Sequence, residues 1–465
     1  MLLCGVGAAV ALASCVAVEQ GLDSSADAGV LPDESVPTFA SSLERVESYL
    51  RFGDADAALA AYQAALQRQP EAAATQILLA RLYLLAGDER SAEAQLVAML
   101  RDPSLLTGDE QADAHYALSL VAASRGDPAA QREHLRDALR GNPRHGDALA
   151  SLAARDASDG DADSARSLYT RALQAQPENV AALLGLGALA TAGDQHEEAI
   201  RYYDEARAVA PNHPFVYVDR AAVLREQSKY DEAIADMSRA IELEPEFYWH
   251  FLDRGRLYAL SGEPQPAAAD FGRAIELEPE SFVAYVNRGN LAYRGRRLLP
   301  ALRDYDAAIA LRPDYYPAYP YLGLLHAADG DWERAGTFFA QAAERDPSEP
   351  GYSLLAGLSE RFSGGNAADN EWLGRIRTAA RRDMWYYDIA RLILEEVDTL
   401  TLNTKYRGHR ERTIGARVMF YLGAVELLAG HQATAQVYFL DAGQLTEADY
   451  LERNLAHFLA DADAG

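Results

Sequence analysis

RAIELEPEFYWHFLDRG, residues 239–255, is followed 34 positions later by RAIELEPESFVAYVNRG, residues 273–289. RAIELEPE and the closing RG are held, while FYWHFLD between them becomes SFVAYVN. Fixed positions alternating with free ones at a constant period are the signature of stacked structural repeats. Extending the comparison puts repeat starts at 39, 73, 112, 146, 180, 214, 248, 282 and 316. Only the step from 73 to 112 breaks the spacing, by five residues near SLLTGDE. Each unit carries apolar or small residues at positions 4, 7, 8 and 11, then at 20, 24 and 27, with proline at 32. In the unit from 180 these are Leu183, Leu186, Gly187, Ala190, Ala199, Tyr203, Ala206 and Pro211. Both sets have helical spacing. Gly160, Gly262 and Gly330, near position 15, end the first helix, and the proline sits where a following helix can begin. Each unit therefore reads as two antiparallel helices.

Small residues at positions 8, 20 and 27 let two helix axes approach to the near end of the roughly 8–10 Å range. Gly187, Gly255, Gly289 and Gly323 are expected to face Ala199, Ala267, Ala301 and Ala335, while larger side chains at 4, 11 and 24 fill the seam to the next pair. This arrangement resembles the tetratricopeptide repeat (TPR), with its Trp-Leu-Gly-Tyr first helix, Ala-Phe-Ala second helix, late proline and period of 34. The resemblance covers residues 39–349, nine units. It implies an all-α fold, a right-handed superhelical solenoid of antiparallel helix pairs. The unit at 112 departs from it with Gln131 at position 20, and the unit at 73 has Pro103 one place early.

Composition narrows the function. A chain of 465 residues, 49% of them hydrophobic, exceeds the usual ceiling for one compact core, which suits a repeat array. A formal net charge of −27 spread along the chain excludes nucleic acid as the main partner, since phosphate binding needs a basic face. The two cysteines, Cys4 and Cys15, lie in the apolar opening MLLCGVGAAVALASC. That stretch falls short of the about 20 apolar residues of a membrane-spanning helix but suits an export signal. Leu12-Ala13-Ser14-Cys15 resembles the lipobox of bacterial lipoproteins, which implies a signal peptide over 1–14, lipidation of Cys15 and an envelope location on the periplasmic face. Val16 after the cysteine leans toward the outer rather than the inner membrane. An ordinary signal cut near Ala13, or an apolar terminus without a role, fits the same residues. Residues 15–38 are acidic, rich in small residues and aperiodic, and read as a flexible tether.

Beyond Pro347 the pattern loosens. Residues 350–382 begin another pair, with SGGNAADN in place of the turn and Asp369 where a small residue belongs. Residues 383–415 fit no repeat: DMWYYDIARLILEEVDTL reads as one helix and TLNTKYRGHRERTIG as a basic, mobile connector. A last unit fills 416–449, and DYLERNLAHFLA reads as an amphipathic capping helix, closing a segment 416–465. Met384-Trp385-Tyr386-Tyr387-Asp388-Ile389 and Phe420-Tyr421-Leu422-Gly423 are similar to the C-terminal region of NlpI-type TPR lipoproteins. That resemblance implies an envelope scaffold that brings cell-wall hydrolases and a processing protease together.

Nothing in the chain reads as catalytic. GLGALA at 185–190 mimics a dinucleotide-binding pattern but lies inside a repeat's first helix. The ten histidines are scattered, and without HExxH, CxxC or a His-rich cluster neither a metal nor a cofactor is expected. No nucleophile elbow or P-loop occurs. EEVD at 395–398 matches a terminal tag bound by some TPR domains, yet it is internal here and is expected to be helical.

Two charged groups stand out. Arg220, Arg254 and Arg288 occupy position 7 of three consecutive units, and Asp236, Asp270 and Asp304 occupy position 23 of the same units. Their joint recurrence predicts a partly buried ion pair inside each unit, since a buried charge without a partner is costly. The second group lies at positions 2, 5, 9 and 12, which line the concave face in the resembled family. There Phe215, Arg225, Trp249, Arg256, Asn290 and Tyr293, with Arg294 adjoining, make a candidate partner-binding groove, because Trp, Tyr and Arg dominate interface energetics. Trp249 and Tyr293 serve equally well as seam fillers between units. The expectation is a non-enzymatic adaptor, lipid-anchored to the membrane, for protein partners of the cell envelope, with a homodimer open. A subunit of a secretion, pilus or transport assembly and a solenoid enclosing a small ligand are the alternatives.

Overall fold

A computed structural model describes residues 72–444, except residue 86, and residues 451–461. Cys15, the tether and the unit at 39 lie outside the described residues. Among the described residues the secondary structure is helical throughout, 23 α-helices with short 3₁₀ turns. The chain forms two compact bodies, divided between Pro245 and Glu246.

The first body holds α1 (Ala73–Leu85), α2 (Glu89–Met99), α3 (Gly108–Ser124), α4 (Pro128–Gly141), α5 (Gly146–Ser158), α6 (Ala162–Ala175), α7 (Val180–Ala192), α8 (His196–Val209), α9 (Pro214–Glu226) and α10 (Tyr230–Leu243). Helices pair in order, α3 with α4, α5 with α6, and so on. The extra residues near SLLTGDE form a 3₁₀ turn, Pro103–Leu105, followed by a reciprocal cap in which Thr107 and Glu110 bond each other's backbone amides. Gly160 closes the hairpin between α5 and α6 with φ of +88°, a conformation that a Cβ would strain.

The second body holds α11 (Tyr248–Ser261), α12 (Pro264–Leu277), α13 (Phe282–Arg294), α14 (Leu298–Leu311), α15 (Tyr319–Ala328), α16 (Trp332–Arg345), α17 (Pro350–Phe362), α18 (Glu371–Ala379), α19 (Trp385–Ile393), α20 (Thr399–Tyr406), α21 (Arg412–Leu428), α22 (Gln432–Gly443) and α23 (Leu451–Asp461). One continuous apolar core runs from Ala292 to Ala460 and includes Tyr305, Phe339, Phe420 and Tyr421.

The packing inside a unit adds a contact that the sequence did not show. The glycine at position 8 lies against the ring at position 24 of its own unit, sixteen residues on, and in the unit from 416 the alanine at position 20 meets it too, with Ala435 O 3.1 Å from a Cβ on Gly423. A Cβ on Gly187 would lie 2.6 Å from the Tyr203 ring, on Gly255 2.7 Å from Phe271, on Gly323 2.7 Å from Phe339, and on Gly423 2.8 Å from Phe439. The ring reaches the glycine itself, so the large residue at 24 closes its own hairpin. The late prolines differ from the sequence expectation: Pro245 stands between the end of α10 at Leu243 and Tyr248, in the turn and not at the first helical residue.

The segment after α17 is more ordered than its sequence suggested. The stretch read as one helix is helical only over Trp385–Ile393, and EEVD forms the turn after it, with Glu395 at φ of +61°. The stretch read as a mobile connector carries a helix of its own, Thr399–Tyr406, and its end starts α21. The reason is local: Lys405 Nζ and Tyr406 Oη both donate to Asp388 Oδ2, at 2.6 and 2.7 Å, and Asp388 is buried. Tyr406 and Leu402 are buried with it.

Candidate partner-binding face

First helices of successive units touch one another, α5 with α7, α7 with α9, and α11 with α13, so their outward side chains share a face within each body. The anchors behind that face are the arginine and aspartate series. Arg220 donates through Nε to Asp236 Oδ2 at 2.8 Å and through Nη2 to Oδ1 at 2.6 Å, while its Nη1 reaches Asp204 at 2.9 Å. Arg254 spans Asp270 at 2.8 and 2.8 Å, and Arg288 spans Asp304 at 2.9 and 2.7 Å. Each is a two-pronged pair linking the two helices of one unit, across the same sixteen-residue offset as the glycine and its ring. Asp236, Asp270 and Asp304 are buried. Burial pushes the Asp236 carboxyl up, against the pull of Arg220. The hydrogen bonds that Arg254 donates to Asp270 push its guanidinium up and hold it charged, and those that Arg288 donates to Asp304 do the same there.

The structure sorts the candidate groove residues into two kinds. Arg225, in the first body, is exposed at the end of α9, and Phe215 is half-buried with its ring 5.9 Å from that of His213. In the second body Trp249 keeps 39% of its surface exposed, with Phe247 at 40% beside it. Its ring lies 5.0 Å from that of Tyr248. Arg256 is paired with Asp253 at 2.9 Å on its own helix. Asn290 is already engaged, since its Oδ1 accepts from Tyr305 Oη at 2.6 Å. Tyr293 is a seam filler, packed edge-on against Tyr321 at 5.2 Å and near Phe458 at 6.5 Å. Arg294 stays exposed beside a small cavity of about 160 Å³ shared with Asn454, His457 and Phe458.

Those last three residues belong to α23, whose placement sequence reasoning missed. Besides covering α22, it packs on α15 and α21. Glu452, 1% exposed, accepts from Arg417 Nη2 at 2.7 Å and from Tyr421 Oη at 3.0 Å. Arg417 also reaches Glu349 at 2.7 Å and stacks 4.5 Å from the Trp385 ring. The chain's own last helix thus lies over first-helix positions of the second body. The one available signal was the isolated Glu452 in an apolar helix face. Beside it opens a cavity of about 450 Å³ whose lining includes Tyr316, Pro320, Tyr321, Tyr352 and Arg417.

Helix hairpins stacked in register, with arginine and aromatic side chains on the first-helix face, define an α-helical repeat protein of the binding type. Family profiles described as tetratricopeptide repeat match residues 49–103, 157–217, 218–282 and 286–350, and the chain belongs to the tetratricopeptide repeat family. Its repeats form a protein–protein interaction scaffold. Among solved structures it is similar to YrrB, described as a TPR protein with an unusual peptide-binding site, at 21% identity over 40% of this chain and 96% of that one, TM-score 0.36. A tetratricopeptide repeat protein from Parabacteroides merdae is 20% identical over 54% and 99% of the two chains, TM-score 0.39. Pseudomonas aeruginosa PilF is 22% identical over 53% and 96%, TM-score 0.32. At these identities the likeness is one of fold. No curated protein matches the chain by sequence.

Proposed function

We infer that this protein is a non-catalytic adaptor of the bacterial cell envelope, anchored through lipidated Cys15, which captures a segment of a partner protein on its first-helix face. Trp249 carries the reading: a large aromatic side chain left 39% exposed at a groove position has no role in the fold that requires that exposure. In the second body, which also holds Trp249, the exposed Arg294 supplies a cationic point in a chain of net charge −27, suited to a carboxylate on the partner; the exposed Arg225 offers another on the first body taken by itself. The similarity to NlpI-type lipoproteins around Trp385 and Phe420 supports cell-wall hydrolases and a processing protease as the partner class.

The test is capture from solubilised envelopes by the full chain. Trp249→Ala should weaken capture of hydrolases by at least about tenfold, as expected of an interface anchor. Arg225→Glu, Arg256→Glu and Arg294→Glu together should abolish it with helical content unchanged. Wild-type capture by both variants would move the binding site away from this face. Recovery of a secretin, or of lipid alone, would replace the adaptor reading with one of its alternatives. Cys15→Ser should release the protein from membranes; unchanged detergent partitioning would sink the anchor.

A further inference from the structure

His115, His134 and Asp137 meet inside the first body, in the unit from 112. At position 4 the units from 146 to 316 carry Leu149, Leu183, Tyr217, Phe251, Tyr285 and Tyr319, whereas this unit has His115. Gln131 replaces its small residue at position 20. His115 projects from α3, while His134 and Asp137, three residues apart, share one face of α4. One ligand atom from each lies within 4.8 Å of the others, and among the described residues no other set of three such groups does so.

His115 Nδ1 and His134 Nδ1 are buried without a hydrogen-bond partner. The rings stand 5.9 Å apart at 30° and do not bond each other. His115 Nδ1 is 4.0 Å from Asp137 Oδ2, too far for a hydrogen bond. Two unpaired imidazole nitrogens buried together are costly unless something accepts their lone pairs.

We propose that His115, His134 and Asp137 bind a zinc-class divalent ion that clips α3 to α4. Two imidazole nitrogens and one carboxylate oxygen are a borderline-soft donor set, and three protein ligands leave the fourth tetrahedral place to water. Zinc at about 2.0–2.1 Å from each ligand would need donor separations near 3.3 Å, so donor atoms now within 4.8 Å of one another close in by up to about 1.5 Å. His115 and Asp137 are 24% and 20% exposed, so an ion has a way in. Arg140, on the next turn of α4, lies against Asp137 Oδ1 and competes for it; at 76% exposed it is free to swing into solvent. The ion supplies the tie that position 4 makes with an apolar side chain in the other units.

The experiment uses the full chain after chelator treatment, titrated with zinc alone in a calorimeter and with cobalt in a visible spectrometer. The expected result is one equivalent of zinc, a tetrahedral cobalt spectrum, and a thermal midpoint that rises with zinc. His115→Gln, His134→Gln or Asp137→Asn should each weaken uptake by more than the about 10- to 100-fold that loss of an outer partner of a metal ligand costs, and Arg140→Gln should tighten it. His115→Cys should keep the site and add a sulfur-to-cobalt band, which no purely structural histidine would predict. Equal uptake by wild type and the His115→Gln/His134→Gln variant overturns the proposal. If that variant fails to fold, the wild-type cobalt spectrum decides: absence of tetrahedral bands overturns it.

Discussion

Arg417 grips Glu452 at 2.7 Å in a place where Glu452 is 1% exposed, and this contact fixes the last helix of the chain against the body that precedes it. A buried carboxylate that meets its guanidinium and a tyrosine hydroxyl is stabilising only while the partners stay together.

Glu452→Gln should therefore cost about 2–4 kcal/mol, because Arg417 is left buried with only Glu349 for compensation. Hydrogen exchange would show lost protection in residues 451–461 while the amides of α12 keep theirs. Unchanged exchange in that segment would mean that apolar contacts at Leu455 and Ala456 suffice to hold it.

The three cross-hairpin pairs make a graded series. Arg254→Ala should destabilise by about 1–4 kcal/mol, since Asp270 is buried and loses both of its bonds. Replacing both partners with an apolar pair should recover most of that loss. A double-mutant cycle on Arg254 and Asp270, read by chemical denaturation, tests the coupling; a coupling near zero would show that the pair is only a surface contact.

Gly323→Ala should cost about 1–3 kcal/mol, because the added methyl would lie 2.7 Å from the Phe339 ring in a close-packed hairpin. Gly374→Ala is the control, since nothing lies within 4 Å of its Cβ position and its helix should gain propensity. Thermal melts of the two variants should move in opposite directions.

Asp219 predicts a pH dependence. It is half-buried on α9, within electrostatic reach of Tyr203, and burial pushes its carboxyl from 3.8 up to about 7. Because the folded state holds the proton more tightly, the stability it contributes is fully present below the ordinary carboxyl range and is lost as pH rises through about 7. Asp219→Asn should remove that loss, making the variant more stable than wild type by about 1–3 kcal/mol at pH 8 and no more stable at pH 3. Denaturation curves at the two pH values decide it, and a pH-independent difference would point to lost packing instead.

The repeat period, the helix pairs and the arginine–aspartate series were legible in the sequence because each depends on spacing along one short hairpin, where a sixteen-residue offset fixes which side chains meet. Trp249 and Tyr293 looked alike on that basis. Only the packed body separated them, since exposure depends on what a distant part of the chain lays against each residue: Phe458 and Tyr321 cover Tyr293, while Trp249 stays open. The ordered insert was hidden for the same reason, its polar stretch being held by a buried Asp388 outside any repeat pattern. The histidines at 115 and 134 are nineteen residues apart and match no ligand motif. Sequence alone determined the helical repeat, because period and residue size dictate how neighbouring helices stack. Which faces stay open, where the last helix lies and which scattered polar groups converge were decided by tertiary structure, because those contacts join positions that no local spacing relates.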